Sequence, residues 1–200
     1  ATLRGAVISE TAAAANVEHH LGVHGGSGAI HAGEQAVTLA LVGEPADDSR
    51  FTGILEAPLS LLWGPANART FTFAGGSSVN TTTNALTVTN GTVRLTEGAT
   101  FTQLGTLALK GGAATDFRVE APPAQPFHAG TLVLETGQEH LFLEDGVKIA
   151  VDTATVNGVK LSAGIYHATG MAGGKGVAWI LGSGVLLVGT APVGTILLFR

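Results

Sequence analysis

The residues with the clearest capacity for chemistry are histidines near the start of the chain. His19, His20, His24 and His31 follow Glu18 within a short segment. In a helix, His20 and His24 would be i, i+4 neighbours, a spacing that can hold a transition metal. Several glycines interrupt any such helix, and the order E-H-H-x-x-x-H differs from the H-E-x-x-H pattern of zinc proteases. We therefore expect polar loop histidines and assign no metal ligands.

Adjacent carboxylates occur twice, at Asp47-Asp48 and at Glu144-Asp145. The first pair lies between Pro45 and Ser49, which is ordinary turn chemistry. A calcium-assisted lyase site on a stack of strands would need three acidic residues and a base on the outer faces of neighbouring turns. The sequence pattern places threonine, asparagine and isolated arginines there instead. We expect no catalytic carboxylates.

Glycine-rich and serine-containing motifs also lack the contexts that catalysis requires. Residues 22–28 and 173–176 are rich in glycine but lack the Lys-Ser/Thr ending of a phosphate-binding loop. Ser27 and Ser183 each stand between two glycines, without the longer G-x-S-x-G pattern of a nucleophile. Cysteine is absent, which excludes disulfides and thiol chemistry. The sequence predicts no enzyme, no catalytic residue and no cofactor.

The composition restricts the partners. Charged residues make up 12% of the chain and hydrophobic residues 45%, whereas an average domain carries about 25% charged residues. The net charge is −5 and the basic residues are scattered singly, so no nucleic-acid partner is expected. No apolar stretch reaches the length of a membrane-spanning helix, so no membrane insertion is expected. A charge-poor surface of this kind is either rich in threonine, serine and asparagine or covered by neighbours.

The secondary structure predicted from the sequence consists of short strands. Alternation is regular, with Leu86 and Val88 set against Thr87 and Thr89, and turn pairs such as Asn-Gly and Asp-Gly separate the segments. Only residues 9–17 have helical character. Asn80 and Asn90 each begin an N-x-T sequon close to a turn, so they are candidate glycan sites.

The spacing of the apolar residues distinguishes between β architectures. Two columns of inward positions repeat every 20–25 residues, the size of one solenoid turn. The first column is Leu39, Leu61, Leu86, Leu107 and Leu132. The second column is Phe51, Phe71, Val93, Phe117 and Leu141. This period predicts a parallel β-solenoid, and a β-sandwich is the alternative that strand alternation alone would allow.

Two segments also resemble a known family. Residues 71–109 (FTFAGGSSVNTTTNALTVTNGTVRLTEGATFTQLGTLAL) resemble the autotransporter-associated β-strand repeats of bacterial surface proteins, and residues 156–188 resemble the closing segment of such proteins. The resemblance implies an all-β, right-handed parallel β-helix with a β-rich C-terminal cap. It also implies export to the cell surface or the extracellular space, and it supplies no catalytic residues.

From these patterns we predict an N-terminal arm or cap at residues 1–35, solenoid coils at 36–155, and a C-terminal cap with a terminal strand at 156–200. The predicted function is that of an extracellular structural protein. It would self-assemble into a filament or surface layer through its apolar terminal segments, residues 1–8 or 195–199. The alternative is a carbohydrate-binding or adhesive module with a cell-surface glycan as its partner.

Overall fold

The chain forms a stack of parallel strands. A computed structural model describes residues 17–19, 25–26, 29–30, 37–44, 47–55, 59–75, 77–121 and 127–189. These residues are β-strands and turns with one short 3₁₀ turn at Gly112–Ala114, and the parallel strands form a β-solenoid of about five turns. The prediction of an all-β solenoid is confirmed.

Twenty strands alternate with short corners along the described chain. They are β1 (Val17–His19), β2 (Gly25–Gly26), β3 (Ala29–Ile30), β4 (Val37–Gly43), β5 (Ser49–Phe51), β6 (Ile54–Leu55), β7 (Leu59–Pro65), β8 (Thr70–Phe73), β9 (Ser78–Val88), β10 (Gly91–Leu95), β11 (Thr100–Leu109), β12 (Thr115–Val119), β13 (Phe127–Leu134), β14 (His140–Leu143), β15 (Lys148–Val156), β16 (Val159–Lys160), β17 (Gly164–Ala168), β18 (Lys175–Val177), β19 (Ile180–Gly182) and β20 (Val185–Val188).

Each coil presents three faces. The first face is a seven-stranded parallel sheet in the order β2-β5-β8-β10-β12-β14-β19. The other two faces share a 13-stranded sheet whose longest strands turn a corner midway. In β13, residues 127–129 pair with 149–151 on the second face, and residues 131–134 pair with 153–156 on the third. The third face also contains β4, β7 and the last halves of β9 and β11.

Hydrogen-bonded register confirms the first apolar column. Leu39, Leu61, Leu86, Leu107 and Leu132 are successive Cα partners. In the second column, Phe71, Val93, Phe117 and Leu141 are successive partners, and Ile180 continues the series.

The placement of Phe51 in the second column was wrong. Phe51 pairs with Phe73, and Phe71 pairs with Ser49. Because side chains alternate with a period of two, a shift of two residues keeps an aromatic side chain facing inward. Alternation alone therefore could not distinguish these two registers.

Aromatic side chains fill the centre of the stack. Phe73 lies edge-on to Phe51 and Phe101, with ring centroids 6.1 and 5.0 Å apart, respectively. Phe101 stacks on Phe127 at 5.6 Å, and Phe127 meets Phe117 at 5.7 Å. These aromatic residues are all buried. Three of these four contacts join successive coils, and the contact between Phe117 and Phe127 joins two faces of one coil, so the core is a continuous column of side chains.

One corner shows why the turn residues are specific. The Asn90 amide donates to the carbonyl of Pro65 at 2.6 Å, and its oxygen accepts from the N–H of Gly91 at 3.0 Å. Gly91 has φ +77°, and a Cβ there would lie 2.2 Å from the carbonyl oxygen of Arg69. The amide of the predicted sequon residue Asn90 is therefore occupied in joining two coils. The side chain of Asn80 lies outside the described residues.

An insertion explains why the period fades late in the sequence. After β15 the chain forms an antiparallel hairpin with β16, followed by β17, which pairs antiparallel with β20, and by β18. The solenoid then resumes, because β19 pairs with β14 and β20 pairs with β15 in parallel. Residues 157–179 therefore separate two neighbouring coils, and β17 covers one edge of β20.

Phe101 provides a test of the central column. Replacing it in Phe101→Ala removes contacts with both Phe73 and Phe127, and we expect a loss of about 3–5 kcal/mol in the free energy of unfolding. Thr92→Ala, at an outward position on β10, should change stability by less than about 0.5 kcal/mol. Urea unfolding followed by circular dichroism measures both, and equal effects would contradict the assigned core.

Candidate functional site

The strands of the first face carry four charged residues on their outer surface. Its central outward column contains three arginines and two apolar residues, and its members are successive partners in register. The column is Arg50, Thr72, Arg94, Arg118, Phe142 and Leu181. A parallel column beside it contains Thr70, Thr92, Asp116 and His140. We call the outer surface formed by these two columns the arginine face.

A network of three polar groups lies where β12 meets β14. One carboxylate oxygen of Asp116 accepts from the Arg118 guanidinium at 3.0 Å, and the other lies 3.1 Å from Nδ1 of His140. The Arg118 guanidinium lies 5.0 Å from the ring centroid of Phe142, in cation–π geometry. Because Nδ1 of His140 faces Asp116, its Nε2 remains without a hydrogen-bond partner among the described residues and is available to a ligand.

A second ion pair stands one coil earlier. Arg94 donates through Nε and Nη2 to the two carboxylate oxygens of Glu120, at 2.5 and 2.6 Å. The hydrogen bond to Glu120 raises the pKa of the Arg94 guanidinium, against the opposing effect of burial, with further contributions from the charges of Glu120 and Asp48. Arg50 is exposed and forms no ion pair with the described residues. These arginines therefore differ in how firmly they are held.

The buried carboxylate of Glu139 fixes the corner that precedes His140. Glu139, next to His140, is buried and accepts from the N–H groups of Gly112 at 3.2 Å and Thr136 at 3.0 Å, and from the Thr136 hydroxyl at 3.0 Å. It ties the corner before β14 to the corner before β12. Burial alone would raise the pKa of Glu139. The hydrogen bonds from its own N–H, from Thr136 and from Gly112 outweigh burial, and they lower this pKa.

The adjacent acidic residues noted in the sequence accept hydrogen bonds at turns. Asp48 accepts from the N–H of Thr70 at 2.9 Å, and Asp145 lies 3.4 Å from the Ser183 hydroxyl. Of the histidine cluster, only the backbone of His19 belongs to the described residues, so the cluster is otherwise outside them. Within the part of the chain that is described, no group of three or more His, Cys, Asp or Glu residues could hold a metal ion.

Lys175, in the second glycine-rich segment, makes a polar contact within the insertion. Its Nζ donates to the Ser162 hydroxyl at 2.5 Å and lies 3.5 Å from the Tyr166 hydroxyl. Catalysis by a serine–lysine pair requires a desolvated lysine, whereas Ser162 and Lys175 are both exposed. These contacts join the two ends of the insertion.

The expectation of isolated arginines on the outer faces was wrong. Arg50, Arg94 and Arg118 occupy one column, because the coils align these positions in the segments SRF, TVRL and DFRV. The signal was present in the sequence. Each arginine precedes an inward Phe, Leu or Val by one residue, but separations of 44 and 24 residues hid the shared register.

Two acidic residues lie at the arginine face. Asp116 lies on β12 and Glu120 follows the last residue of that strand, so the extended chain separates their Cα atoms by about 13 Å. The His140–Asp116 pair has the orientation of a base, but no serine or threonine hydroxyl lies within hydrogen-bond distance of His140 among the described residues.

Comparisons with known proteins do not assign the chain to a family. No protein-family model, curated protein or solved structure matches the chain. The likeness to autotransporter-associated repeats therefore stays a prediction from sequence. Among the described residues, no helix is long and apolar enough to span a membrane.

Glu139 gives a test of how the arginine face is supported. Glu139→Gln keeps the shape but removes the charge that receives three hydrogen bonds, and we expect a loss of about 1–3 kcal/mol in the free energy of unfolding at neutral pH. Glu97→Gln, at another exposed corner position, is the control and should have little effect.

The effect of Glu139→Gln on the free energy of unfolding should depend on pH. The folded pKa of Glu139 is lowered from its ordinary value of 4.5, so its stabilisation is present above that value and is lost as pH falls through the folded pKa. The difference between the parent chain and Glu139→Gln should therefore shrink on acidification. Denaturant unfolding at several pH values measures it, and a difference that grows towards acid would refute this account.

Proposed function

We propose that this chain is a non-catalytic adhesive module of the cell surface or extracellular space, and that its arginine face binds an extended carbohydrate chain. The observation that carries the proposal is the Asp116–Arg118–His140 network beside Phe142 on an open sheet. The rigid solenoid serves as the scaffold that holds these groups in place.

The chemistry of the network suits sugar hydroxyls. Carboxylate and guanidinium groups are planar and bind neighbouring hydroxyls in pairs. Their mutual ion pairs fix them before a ligand arrives, which reduces the entropy lost on binding. Phe142 and the exposed Leu181 lie next in the same column and offer an apolar surface to the C–H face of a sugar ring.

The shape favours a linear ligand. Successive coils are about 4.8 Å apart, so the column from Arg50 to Leu181 extends about 24 Å along the stack. The three arginines are offset by Asp48, Asp116 and Glu120. A surface with balanced charge is unsuited to a polyanion, which binds through an excess of cations. A neutral polysaccharide segment is therefore the ligand class that fits.

Two histidines make a matched test. His140 and His128 each lie 3.1 Å from an aspartate on a neighbouring coil, but His128 and Asp152 lie on other faces of the solenoid. We expect His140→Ala to weaken binding to neutral oligosaccharides at least about tenfold, a loss of about 1.4 kcal/mol. His128→Ala should leave binding unchanged. Glycan-array screening followed by titration calorimetry measures both variants, and equal effects or no binding by the parent chain would reject the proposal.

Self-assembly is a second candidate function, and a different observation favours it. The large hydrophobic side chains that are exposed among the described residues are Val159, Ile165, Met171 and Leu181, and all belong to the last coils and the insertion. Exposed large apolar side chains are one mark of an interaction surface. Head-to-tail contact at that end of the stack would give a filament or surface layer. The terminal segments predicted to mediate such contact, residues 1–8 and 195–199, lie outside the described residues.

Electron microscopy separates this candidate from adhesion alone. In negative stain, the parent chain should form filaments, and Val159→Ser combined with Ile165→Ser should shorten or abolish them. Ala113→Ser, at an exposed corner elsewhere, is the control. Deleting residues 195–200 tests the C-terminal segment directly, and filaments unchanged by that deletion would exclude its role.

A further inference from the structure

The third outer face differs from the arginine face in having no charge at its centre. Two outward columns cross the strands β4, β7, β9, β11, β13 and β15, and none of their members on these strands is charged. Beyond the two ends of the second column, Glu18 on β1 pairs with Ala40, and Lys160 on β16 pairs with Thr155. The first column is Thr38, Ser60, Ala85, Thr106, Thr131 and Thr153. The second column is Ala40, Leu62, Thr87, Ala108, Val133 and Thr155. We call this surface the threonine–alanine face.

Most side chains of this face are short. Ala40 and Ala108 are only 5% and 3% exposed. The hydroxyls of Thr131 and Thr153 lie 3.3 Å apart, and the Ser60 hydroxyl accepts from the N–H of Ala85 at 3.1 Å. These contacts hold the polar groups along the surface. A sheet surface of short side chains is unsuited to a small ligand and is suited to packing against another sheet.

Opposite charges stand at one edge of the threonine–alanine face. Lys110 follows Leu109 on β11, and Glu135 follows Leu134 on β13, and these two leucines are register partners. Lys110 and Glu135 are both exposed, and neither forms an ion pair within the described residues. The corresponding edge positions on the other strands, Val42, Gly64, Thr89 and Asn157, are uncharged.

We propose that the threonine–alanine face binds the same face of a second copy in a two-fold dimer. The axis would run parallel to the strands and pass between β11 and β13. Such an axis places β11 of one copy opposite β13 of the other, so Lys110 would face Glu135 of the partner subunit. By symmetry the contact forms twice. The same operation sets Ala108 opposite the partner's Val133, and Thr106 opposite the partner's Thr131.

The pattern of charge selects a second copy as the occupant. A face that carries one sign of charge would repel itself, whereas this face is neutral at its centre and has one residue of each sign on adjacent strands. The size of the contact between the two copies also limits the affinity of the dimer. With the axis between β11 and β13, only the four strands β9, β11, β13 and β15 face their partners. At about 4.8 Å per strand the contact is roughly 20 Å long, below the usual size of a stable interface. We therefore expect a weak, reversible dimer.

Charge reversal with mixing tests the proposal on the full chain. Sedimentation velocity of the parent at increasing concentration should show a monomer–dimer equilibrium. Lys110→Glu alone, or Glu135→Lys alone, places like charges opposite each other and should weaken dimerisation at least about tenfold. An equimolar mixture of the two variants should recover the dimer, because the lysines of one chain then face the glutamates of the other.

The mixture separates contacts between copies from effects within one chain. Each single variant keeps like charges on adjacent strands of its own fold, so recovery on mixing can come only from the interface. Circular dichroism and thermal melting confirm that both variants are folded. If either is unfolded, Val133→Arg, at the centre of the face, replaces it and should give a monomer. Lys148→Glu, exposed on the second face, should leave the equilibrium unchanged.

Three results would overturn the inference. They are a parent chain that stays monomeric at every concentration, a dimer that both charge reversals leave intact, and a mixture that does not recover. A monomer that cosediments with an insoluble polysaccharide through this face would assign the face to a different occupant. His140→Ala, which disables the arginine face, should leave dimerisation unchanged, so this inference and the proposed carbohydrate binding succeed or fail separately.

Discussion

The stacking of inward apolar side chains in parallel register is the interaction on which the rest of this structure depends. Every coil places Leu, Val or Phe directly above the equivalent residue of the preceding coil, as in the series from Leu39 to Leu132. Backbone hydrogen bonds between the same strands fix the spacing. A shift by one residue would turn each strand's apolar set outward, so the buried column specifies the register strongly.

The register of the buried side chains also determines which outward residues lie next to each other on the outer faces. Because outward residues alternate with buried ones, any residue type that recurs beside the same core position becomes a column on the surface. Arg94 and Arg118 meet in this way, and so do Thr106 and Thr131. The fold therefore converts a weak repeat in sequence into two different outer surfaces, one bearing ion pairs and another without charge at its centre. We propose separate binding roles for these two surfaces.

The corners carry the polar groups that the buried column cannot hold. Glu139 satisfies N–H groups from two successive corners, and Asn90 joins a third corner to the preceding coil. These contacts compensate for turns that leave backbone groups unpaired. They also fix the start of the strand from which His140 projects, so the support of the candidate site and the stability of the stack share the same residues.

Alternation, glycine turns and a period of 20–25 residues were sufficient to determine the class of fold and the first apolar column from sequence alone. They act locally, through strand and turn preferences, and through a repeat that any stacked fold must satisfy. These signals could not determine the register of Phe51, because Phe71 and Phe73 both face inward on the neighbouring strand and either of them fits the pattern.

Only the tertiary structure decided which distant residues share a surface. Asp116 and His140 are 24 residues apart, and they meet because β12 and β14 are neighbours. The insertion at 157–179 likewise concealed the partnership of β19 with β14, since it lengthened that step beyond the repeat. Long-range pairing depends on the total length of each coil, and corners of variable length remove that information from any single stretch of sequence.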